Sequence, residues 1–235
     1  MIFYYLKNKL KNLETFFLFF SFRFLSLHPI MDDKKYFLEK LFEMFHIYGV
    51  KTLTMDDIAK EFSISKKTLY QKYSHKENLI CDVLDFMSKE GLDEVDRIRQ
   101  EYRCPIESLL LSGPRMDEIT CKEKNIFDIQ LLKYYPDIFH SHQISISVRI
   151  IKILKEDYEK GVEIGYFRKG VSIDLYIKFL ITLFYSAETS PLFIEEKNKK
   201  KLSVAMKLLY LDALVTEEGK QRLNELKEKY QYNNI

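Results

Sequence analysis

The stretch TLTMDDIAKEFSISKKTLYQKYSHKENLICDVL, residues 52–84, decides the fold of this chain. Its first part carries apolar residues at helical spacing, and its second part, after the interruption SIS, is short and basic. The apolar residues are Met55, Ile58, Ala59 and Phe62. Thr54 and Ser65 stand where N-cap residues are expected. Two short helices joined by a turn of three or four residues are typical of a helix-turn-helix.

Positive charge is concentrated in the second of these helices. Residues 62–76 hold four lysines and no acid, whereas residues 31–61 hold five lysines and seven acids. The whole chain carries only +2. Helical spacing turns Leu69 and Tyr73 inward, which leaves the lysines on the outer face. A concentrated basic face favours phosphate binding, although charge alone also fits a solvated amphipathic helix.

The outer face of this helix supplies the candidate DNA contacts. The predicted groove-facing set is Lys66, Lys67, Thr68, Tyr70, Gln71 and Lys72. Gln71 is the expected base reader through its side-chain amide. Thr54 and Lys76, at the N-termini of the second and fourth predicted helices, are expected to hold phosphates with the help of backbone N–H groups. Thr54 also has an expected role as a plain cap.

The same segment resembles the DNA-binding region of the TetR family of bacterial transcriptional regulators. The matching positions are Thr54, Ile58, Ala59, Ile64, Ser65, Thr68, Leu69, Tyr70, Tyr73, Lys76, Glu77 and Leu79. The resemblance covers about residues 35–87, and the chain departs from it where Lys72 precedes Tyr73 in place of an aromatic pair. This lysine still suits a phosphate, so the contact there is expected to be more electrostatic.

The resemblance implies a ligand-responsive regulator, most commonly a repressor, that binds an inverted-repeat operator in double-stranded DNA. It implies a homodimer with one DNA-binding head in each subunit and a C-terminal domain that binds a small-molecule effector. The domain boundaries expected are 31–80 for the head and 81–235 for the regulatory and dimerisation domain. A further alternative is that the protein binds DNA without sensing a ligand.

Composition and periodicity predict an all-α protein. The chain has 235 residues, 46% of them apolar, with seven glycines and five prolines. Helices are predicted from Met31 to Gly49, through the two short helices, from Ser74 or His75 to about Arg103, and over about 105–112, 117–135 and 137–161. Two further apolar helices, about 172–190 and 199–216, are expected to form a surface shared between subunits.

An aromatic-rich region is the predicted wall of the effector pocket. The candidates are Phe127, Leu131, Tyr134, Tyr135, Phe139, Phe179 and Phe184, and core packing is the competing explanation for most of them. We expect an apolar or amphipathic compound to loosen operator binding by favouring a dimer whose heads are wrongly spaced.

Enzymatic and metal-dependent functions find no support in the sequence. Cys81, Cys104 and Cys121 show no CxxC spacing, so neither a disulfide framework nor a zinc site is expected, and the thiols are predicted to be mostly buried in a protein of the reducing cytoplasm. His140 and His142, two residues apart, would lie on different faces of a helix. Phosphate-loop, G-x-S-x-G and HExxH motifs are absent from the sequence, and no cofactor is predicted.

Residues 1–30 differ from the rest of the chain in composition. A basic start precedes the apolar run from Phe16 to Phe22, which Arg23 ends before the length of a bilayer-spanning helix is reached. Since Met31 begins a sequence typical of a protein start, we expect residues 1–30 to be translated upstream sequence or a disordered extension. The alternative is a helical protein-interaction or membrane-associated module that uses this segment as an amphipathic anchor.

Overall fold

The computed structural model describes residues 34–112, 126–194, 196 and 198–233. In these ranges the regular structure is eleven α-helices, so the all-α prediction is confirmed. In chain order they are α1 (Lys34–Tyr48), α2 (Met55–Glu61), α3 (Lys66–Lys72), α4 (Lys76–Glu101), α5 (Pro105–Leu111), α6 (Ile126–Tyr134), α7 (Pro136–Glu163), α8 (Ile173–Thr189), α9 (Pro191–Ile194), α10 (Lys199–Asp212) and α11 (Glu217–Lys229). The expectations for residues 1–30 and Cys121 lie outside the described residues.

Two compact units divide the chain between Lys40 and Leu41. The described part of the first unit, residues 34–40, is the beginning of α1. The second unit runs from Leu41 to the end of the chain. It contains the rest of α1, which with α2 and α3 is called the head below, and the later helices from α4 onward, which are called the body.

The apolar residues that recur at helical spacing in α1 are buried except for the last of them. Phe37, Leu41, Met44 and Phe45 are buried, whereas Tyr48 is 56% exposed. Tyr48 is the final residue of the helix, and the chain turns away at Gly49, whose φ of +82° belongs to the left-handed region. The predicted glycine stop is confirmed.

Helix α4 is the first helix of the body and follows the head directly in the chain. It has 26 residues, which corresponds to about 39 Å. Its apolar stripe is buried throughout and consists of Leu79, Ile80, Val83, Leu84 and Met87. The helix ends at Glu101, two residues before the predicted end. Pro105 occupies the first turn of α5, where a backbone N–H would have no partner within the helix, so the missing N–H of proline costs no hydrogen bond.

The body contains one large apolar core. It is built from buried residues of α5, α7, α8, α10 and α11, among them Ile106, Leu154, Leu180, Leu211 and Leu223. Helix α8 contributes only part of its surface to this core. Ile177 and Leu180 are buried, but Leu175 and Phe179, one turn apart on the same helix, are 51% and 60% exposed.

Helix α11 was not predicted from the sequence. Thr216 caps it by accepting a hydrogen bond from the N–H of Gly219 at 3.1 Å, and acids occupy its first turn. Leu223 and Leu226 are its fully buried apolar residues. A cap followed by Glu217 and Glu218, with two leucines three residues apart, was the available signal.

The prediction that the thiols are mostly buried is wrong for the two cysteines in the described residues. Cys81 is exposed and Cys104 is only partly buried. Cys81 follows the buried pair Leu79 and Ile80 on α4 and lies on the opposite side of the helix from that stripe. Within the described residues, no helix combines the length and the apolar character needed to cross a bilayer.

Candidate nucleic-acid interface

A reciprocal capping box holds the start of α2. The hydroxyl of Thr54 accepts from the N–H of Asp57 at 3.1 Å, and the carboxylate of Asp57 accepts from the N–H of Thr54 at 2.9 Å and from its hydroxyl at 2.5 Å. The bonds from the hydroxyl and the backbone of Thr54 lower the pKa of Asp57. Thr54 is therefore a cap, and its phosphate contact stays a prediction.

The turn between α2 and α3 has a left-handed residue that is not glycine. Ser63 has φ +52°, and its N–H bonds to the carbonyl of Lys60 at 3.1 Å. The N–H of Ile64 reaches the carbonyl of Ala59 at 3.0 Å. These bonds satisfy the last carbonyls of α2 and reverse the chain within a few residues. They fix where α3 begins relative to α2.

Ser65 caps α3, as the sequence predicts. Its hydroxyl accepts from the N–H of Thr68 at 3.0 Å, and the two hydroxyl oxygens lie 2.7 Å apart. Leu69 is fully buried and anchors the inner face of the helix. The hydroxyl of Thr68, which the sequence assigns to the groove-facing set, already takes part in this cap.

The outer face of α3 carries most of the predicted contact residues. Lys67, Tyr70, Gln71 and Lys72 are all exposed. Lys66 is exposed as well, but its ammonium group contacts the carboxylate of Asp56 on α2 at 2.5 Å. This ion pair neutralises one of the three lysines of the predicted groove-facing set before any DNA approaches. Sequence reasoning did not identify Asp56 as part of this surface.

Tyr73, the residue that follows the last turn of α3, contacts both α4 and a lysine of α3. Tyr73 is buried, as predicted, and its hydroxyl donates to Asp82 of α4 at 2.6 Å. Burial, followed by this bond and the charge of Asp82, raises the pKa of Tyr73. The ammonium group of Lys72 lies 5.7 Å from the centre of the Tyr73 ring. The aromatic residue that follows Lys72 therefore bonds to α4 and lies beside the lysine.

Lys76 has a partner within the head. Its ammonium group donates to the backbone carbonyls of Val50 and Leu53, in the turn between α1 and α2. Burial, followed by the charge of Lys51, lowers the pKa of Lys76. The lysine ties the start of α4 to that turn, and its role as a phosphate contact remains a prediction.

The seven aromatic and aliphatic residues predicted to wall an effector pocket lie in different surroundings. Phe127 stacks on Phe45 of α1 with ring centres 5.6 Å apart, and Phe139 contacts Tyr185 at 5.8 Å. Tyr134 is 43% exposed, and the ammonium groups of Lys51 and Lys133 lie 5.3 Å and 5.2 Å from the centre of its ring. The other members are Leu131, which is buried, Tyr135 and Phe184, which are partly buried, and Phe179, which is exposed.

A pocket of about 270 Å³ lies between α4 and α7. Six of its eight lining residues have polar side chains, and none of the seven predicted residues is among them. They consist of Asp85, Ser88, Lys89 and Leu92 on α4, and His142, Ser145, Ile146 and Arg149 on α7. His142, which the sequence places on a different helix face from His140, is partly buried on α7, whereas His140 is exposed. In the described part of the chain, no group of histidine, cysteine or carboxylate side chains is arranged to hold a metal ion.

Comparisons with known proteins found matches for the sequence of the head and for the fold of the chain. Residues 37–83 match the sequence model of the family described as "Bacterial regulatory proteins, tetR family". No curated protein sequence matches the chain. Solved structures do match it, and those below have sequence identities that show similarity of fold alone.

A TetR transcription regulator from Haloarcula marismortui is 18% identical with a TM-score of 0.64, over 79% of this chain and 100% of that one. A transcriptional regulator from Cytophaga hutchinsonii is 18% identical with a TM-score of 0.63, over 77% of this chain and 98% of that one. A TetR-family regulator structure from Mesorhizobium loti is 14% identical with a TM-score of 0.57. The match covers 81% of this chain and 100% of that one.

Proposed function

We propose that this chain, which has the fold of TetR-family transcriptional regulators and the family's sequence signature over residues 37–83, binds an inverted-repeat operator in double-stranded DNA. The protein acts as a cytoplasmic homodimer, with residues 31–80 as the DNA-binding domain and 81–235 as the regulatory domain. It represses transcription, and it has no enzymatic activity and no cofactor. The exposed basic face of α3, beside a buried Leu69, is the observation that carries this proposal.

The proposed contacts divide by chemistry. The amide of Gln71 reads a base edge, for which the paired acceptor and donor of adenine are the best match. Lys67 and Lys72 meet phosphates, and Tyr70, 47% exposed, packs beside them. Lys66, Thr68, Thr54 and Lys76 complete the contact set once DNA competes for the partners they have in the free head.

Dimerisation places two such faces on one DNA surface. Helices α8 and α10, within the proposed interface segments 172–190 and 199–216, carry the exposed apolar residues Leu175, Phe179 and Leu209. Two helices from each subunit bury these residues in a four-helix interface. The spacing between the two α3 helices must be about 34 Å, or a multiple of it, to reach successive major grooves. A small-molecule effector that favours another spacing releases the DNA.

Operator binding is tested with duplex DNA taken from immediately upstream of the gene, because regulators of this kind often bind beside their own genes. Fluorescence anisotropy with the labelled duplex gives the affinity at several salt concentrations. The variant Lys67→Ala/Lys72→Ala should bind more weakly and reduce the salt slope by about 1.8, since each phosphate contact contributes about 0.9.

The matched control is Lys152→Ala/Lys169→Ala, which removes the same charge from exposed positions of the body. It should keep the wild-type affinity and salt slope apart from a small general electrostatic effect. Equal losses in the two double variants would show that α3 has no special role. Unchanged binding by Lys67→Ala/Lys72→Ala would remove the proposed interface.

A further inference from the structure

Two facing stripes of side chains form the pocket between α4 and α7. On α4 they are Asp85, Ser88, Lys89 and Leu92, and on α7 they are His142, Ser145, Ile146 and Arg149. In both helices the positions follow the spacing i, i+3, i+4 and i+7, so each stripe is one continuous helix face. The pocket volume of about 270 Å³ equals the liquid volume of about nine water molecules.

Polar contacts fix the two walls of this pocket to each other. The hydroxyl oxygen of Ser88 on α4 lies 3.1 Å from Nε2 of His142 on α7. Eleven residues further along α4, or about 16 Å, the guanidinium of Arg99 donates to Asp157 at 2.9 Å and to Glu156 at 3.0 Å. The pocket is therefore bounded by elements that are held in register, which favours binding of a ligand with a defined shape.

The hydrogen bonds of Ser88 assign the tautomer of His142. The hydroxyl of Ser88 donates its only proton to the carbonyl of Leu84 at 2.7 Å, so its oxygen accepts from Nε2–H of the imidazole. Burial lowers the pKa of His142, against the opposing charge of Asp85. The neutral ring then keeps Nδ1 as an acceptor and adds no positive charge to the pocket.

The charges of the walls are unbalanced. Lys89 and Arg149 are exposed, and within the described ranges neither has an ion-pair partner. Asp85 is the one carboxylate among the lining residues, and it stands one helical turn before Lys89 on the same face. Two cations against one carboxylate leave the pocket with a net positive charge at its Arg149 end.

We propose that this pocket binds a small amphipathic carboxylate. The carboxylate group meets the guanidinium of Arg149, which suits bidentate binding, and the ammonium group of Lys89. The apolar part of the ligand packs on Leu92 and Ile146. The hydroxyl of Ser145 donates a further hydrogen bond to an oxygen of the ligand, and Asp85 repels the anionic group from the opposite end.

The regulatory consequence of this site rests on the proposed function. Helix α4 begins four residues after α3 ends and bonds to Tyr73 through Asp82. A ligand that binds between α4 and α7 with different affinity in the two dimer geometries shifts the position of α3 by that difference. The site thus gives the proposed effector a chemical class and a location.

Binding is tested by titration calorimetry on the full-length protein without DNA. The probes are hexanoate, its neutral analogue hexanamide, and inorganic phosphate. Hexanoate should bind, and hexanamide should bind at least about tenfold more weakly because the charge-assisted hydrogen bonds are lost. Phosphate binding as tight as that of hexanoate would overturn the assignment, because phosphate makes no use of Leu92 and Ile146.

Two variants locate the site. Arg149→Gln and Lys89→Gln change exposed side chains and should each weaken hexanoate binding, Arg149→Gln by about tenfold or more. Lys169→Gln removes an exposed cation outside the pocket and should leave the affinity unchanged. Absence of hexanoate binding, or equal affinities in all three variants, would overturn the proposal.

A separate measurement distinguishes this proposal from the proposed function. The anisotropy titration with upstream duplex DNA is repeated with and without saturating hexanoate. Calorimetric binding by a protein that ignores DNA would support the pocket and contradict the regulator. DNA binding by a protein that gives no calorimetric signal with hexanoate would support the regulator and overturn the pocket.

Discussion

The backbone N–H of Lys51 donates a 2.8 Å hydrogen bond to the side-chain oxygen of Gln130, and this bond joins the turn after α1 to helix α6. Phe127, one turn earlier on α6, stacks on Phe45 with an interplanar angle of 6°. The head is therefore attached to the body at two places, through α4 and through α6. Gly49 lies between the two contacts and leaves room for the amide of Gln130.

Replacement of Gly49 by alanine should destabilise the protein by about 2–3 kcal/mol. The left-handed φ of +82° costs a residue with a Cβ about 1–2 kcal/mol. The new Cβ would also lie 2.5 Å from the side-chain amide of Gln130, which must move and give up its bond to Lys51 at a further cost of about 1 kcal/mol. Urea unfolding followed by circular dichroism measures the change.

Gly170 provides the matched control. Its φ is +77°, and a Cβ there would meet no atom within 4 Å. Gly170→Ala should therefore show the conformational cost alone, about 1–2 kcal/mol. Equal destabilisation by Gly49→Ala and Gly170→Ala would mean that the contact with Gln130 contributes nothing measurable.

Asp56→Asn should strengthen DNA binding. In the free head, Asp56 holds the ammonium group of Lys66 at 2.5 Å on an exposed surface. Loss of this carboxylate removes a repulsive charge and frees Lys66 for a phosphate. We expect several-fold tighter binding and a salt slope that is larger by up to about 0.9. Anisotropy titrations over a range of salt concentrations measure both quantities.

Asp174→Asn is the corresponding change in the body. Asp174 also stands in the first turn of a helix, and its carboxylate bonds Lys155 at 2.6 Å. Since this pair is outside the proposed interface, the variant should bind DNA as the wild type does. Weaker or unchanged binding by Asp56→Asn would show that Lys66 does not gain a phosphate contact.

The comparison of Lys66 with Leu69 shows what the sequence could and could not predict. Helical periodicity placed Leu69 and Tyr73 inward because burial of apolar side chains follows the 3.6-residue repeat. The ion pair of Lys66 with Asp56 joins residues ten positions apart on different helices, and local spacing carries no information about such a pair. Lys76 is similar, because its partners Val50 and Leu53 precede it by more than twenty residues.

The residues predicted to wall the effector pocket show again that local sequence does not reveal contacts between distant parts of the chain. Aromatic density predicted one pocket, but Phe127 packs on the head and Phe179 is exposed on α8. Aromatic side chains serve cores, interfaces and pockets equally well, so composition alone does not separate these uses. The polar pocket depends on which faces of α4 and α7 oppose each other, and only the tertiary structure gives that pairing.

Phe179→Glu should convert the proposed dimer to monomers. A charge at this exposed apolar position of α8 would be buried without a partner in the proposed interface between subunits. Sedimentation velocity should show a lower mass at concentrations at which the wild type is dimeric. Ile144→Glu, which changes an exposed apolar residue of α7, should remain dimeric. A dimeric Phe179→Glu variant would exclude this face of α8 from the interface.

Glu107→Gln should loosen the attachment of α11. Glu107 is 6% exposed and accepts from Lys229 at 2.7 Å, Tyr230 at 2.7 Å and Arg222 at 3.1 Å. Burial raises the pKa of this carboxyl, but the bonds and charges of its three partners together lower it below the usual value. The ionised group therefore stabilises the fold at neutral pH, and we expect the substitution to cost about 1–3 kcal/mol there.

The pH dependence checks this assignment. A carboxyl whose pKa is lower in the folded state contributes stability above its unfolded pKa, about 4.3, and loses it as the pH falls through the folded value. The difference in unfolding free energy between wild type and Glu107→Gln should shrink between pH 6 and pH 3. Glu225→Gln, which changes an exposed partner of Arg222, should show a much smaller difference. A difference that stays constant with pH would contradict the ionic role of Glu107.

His142 should make the protein less stable in mild acid. Burial lowers the pKa of this imidazole in the folded state, whereas in the unfolded chain it stays near 6.5. Below about pH 6.5 the unfolded chain therefore binds a proton that the folded protein resists. The unfolding free energy decreases as the pH is lowered, until the folded pKa is reached. The cations Lys89 and Arg149 on the pocket walls oppose protonation, and Asp85 favours it.

Removal of the imidazole in His142→Gln should flatten the pH dependence of the unfolding free energy between pH 7 and pH 5. His140→Gln, at an exposed position, should keep the wild-type slope. Equal slopes for wild type and His142→Gln would show that this imidazole titrates alike in the folded and unfolded chains.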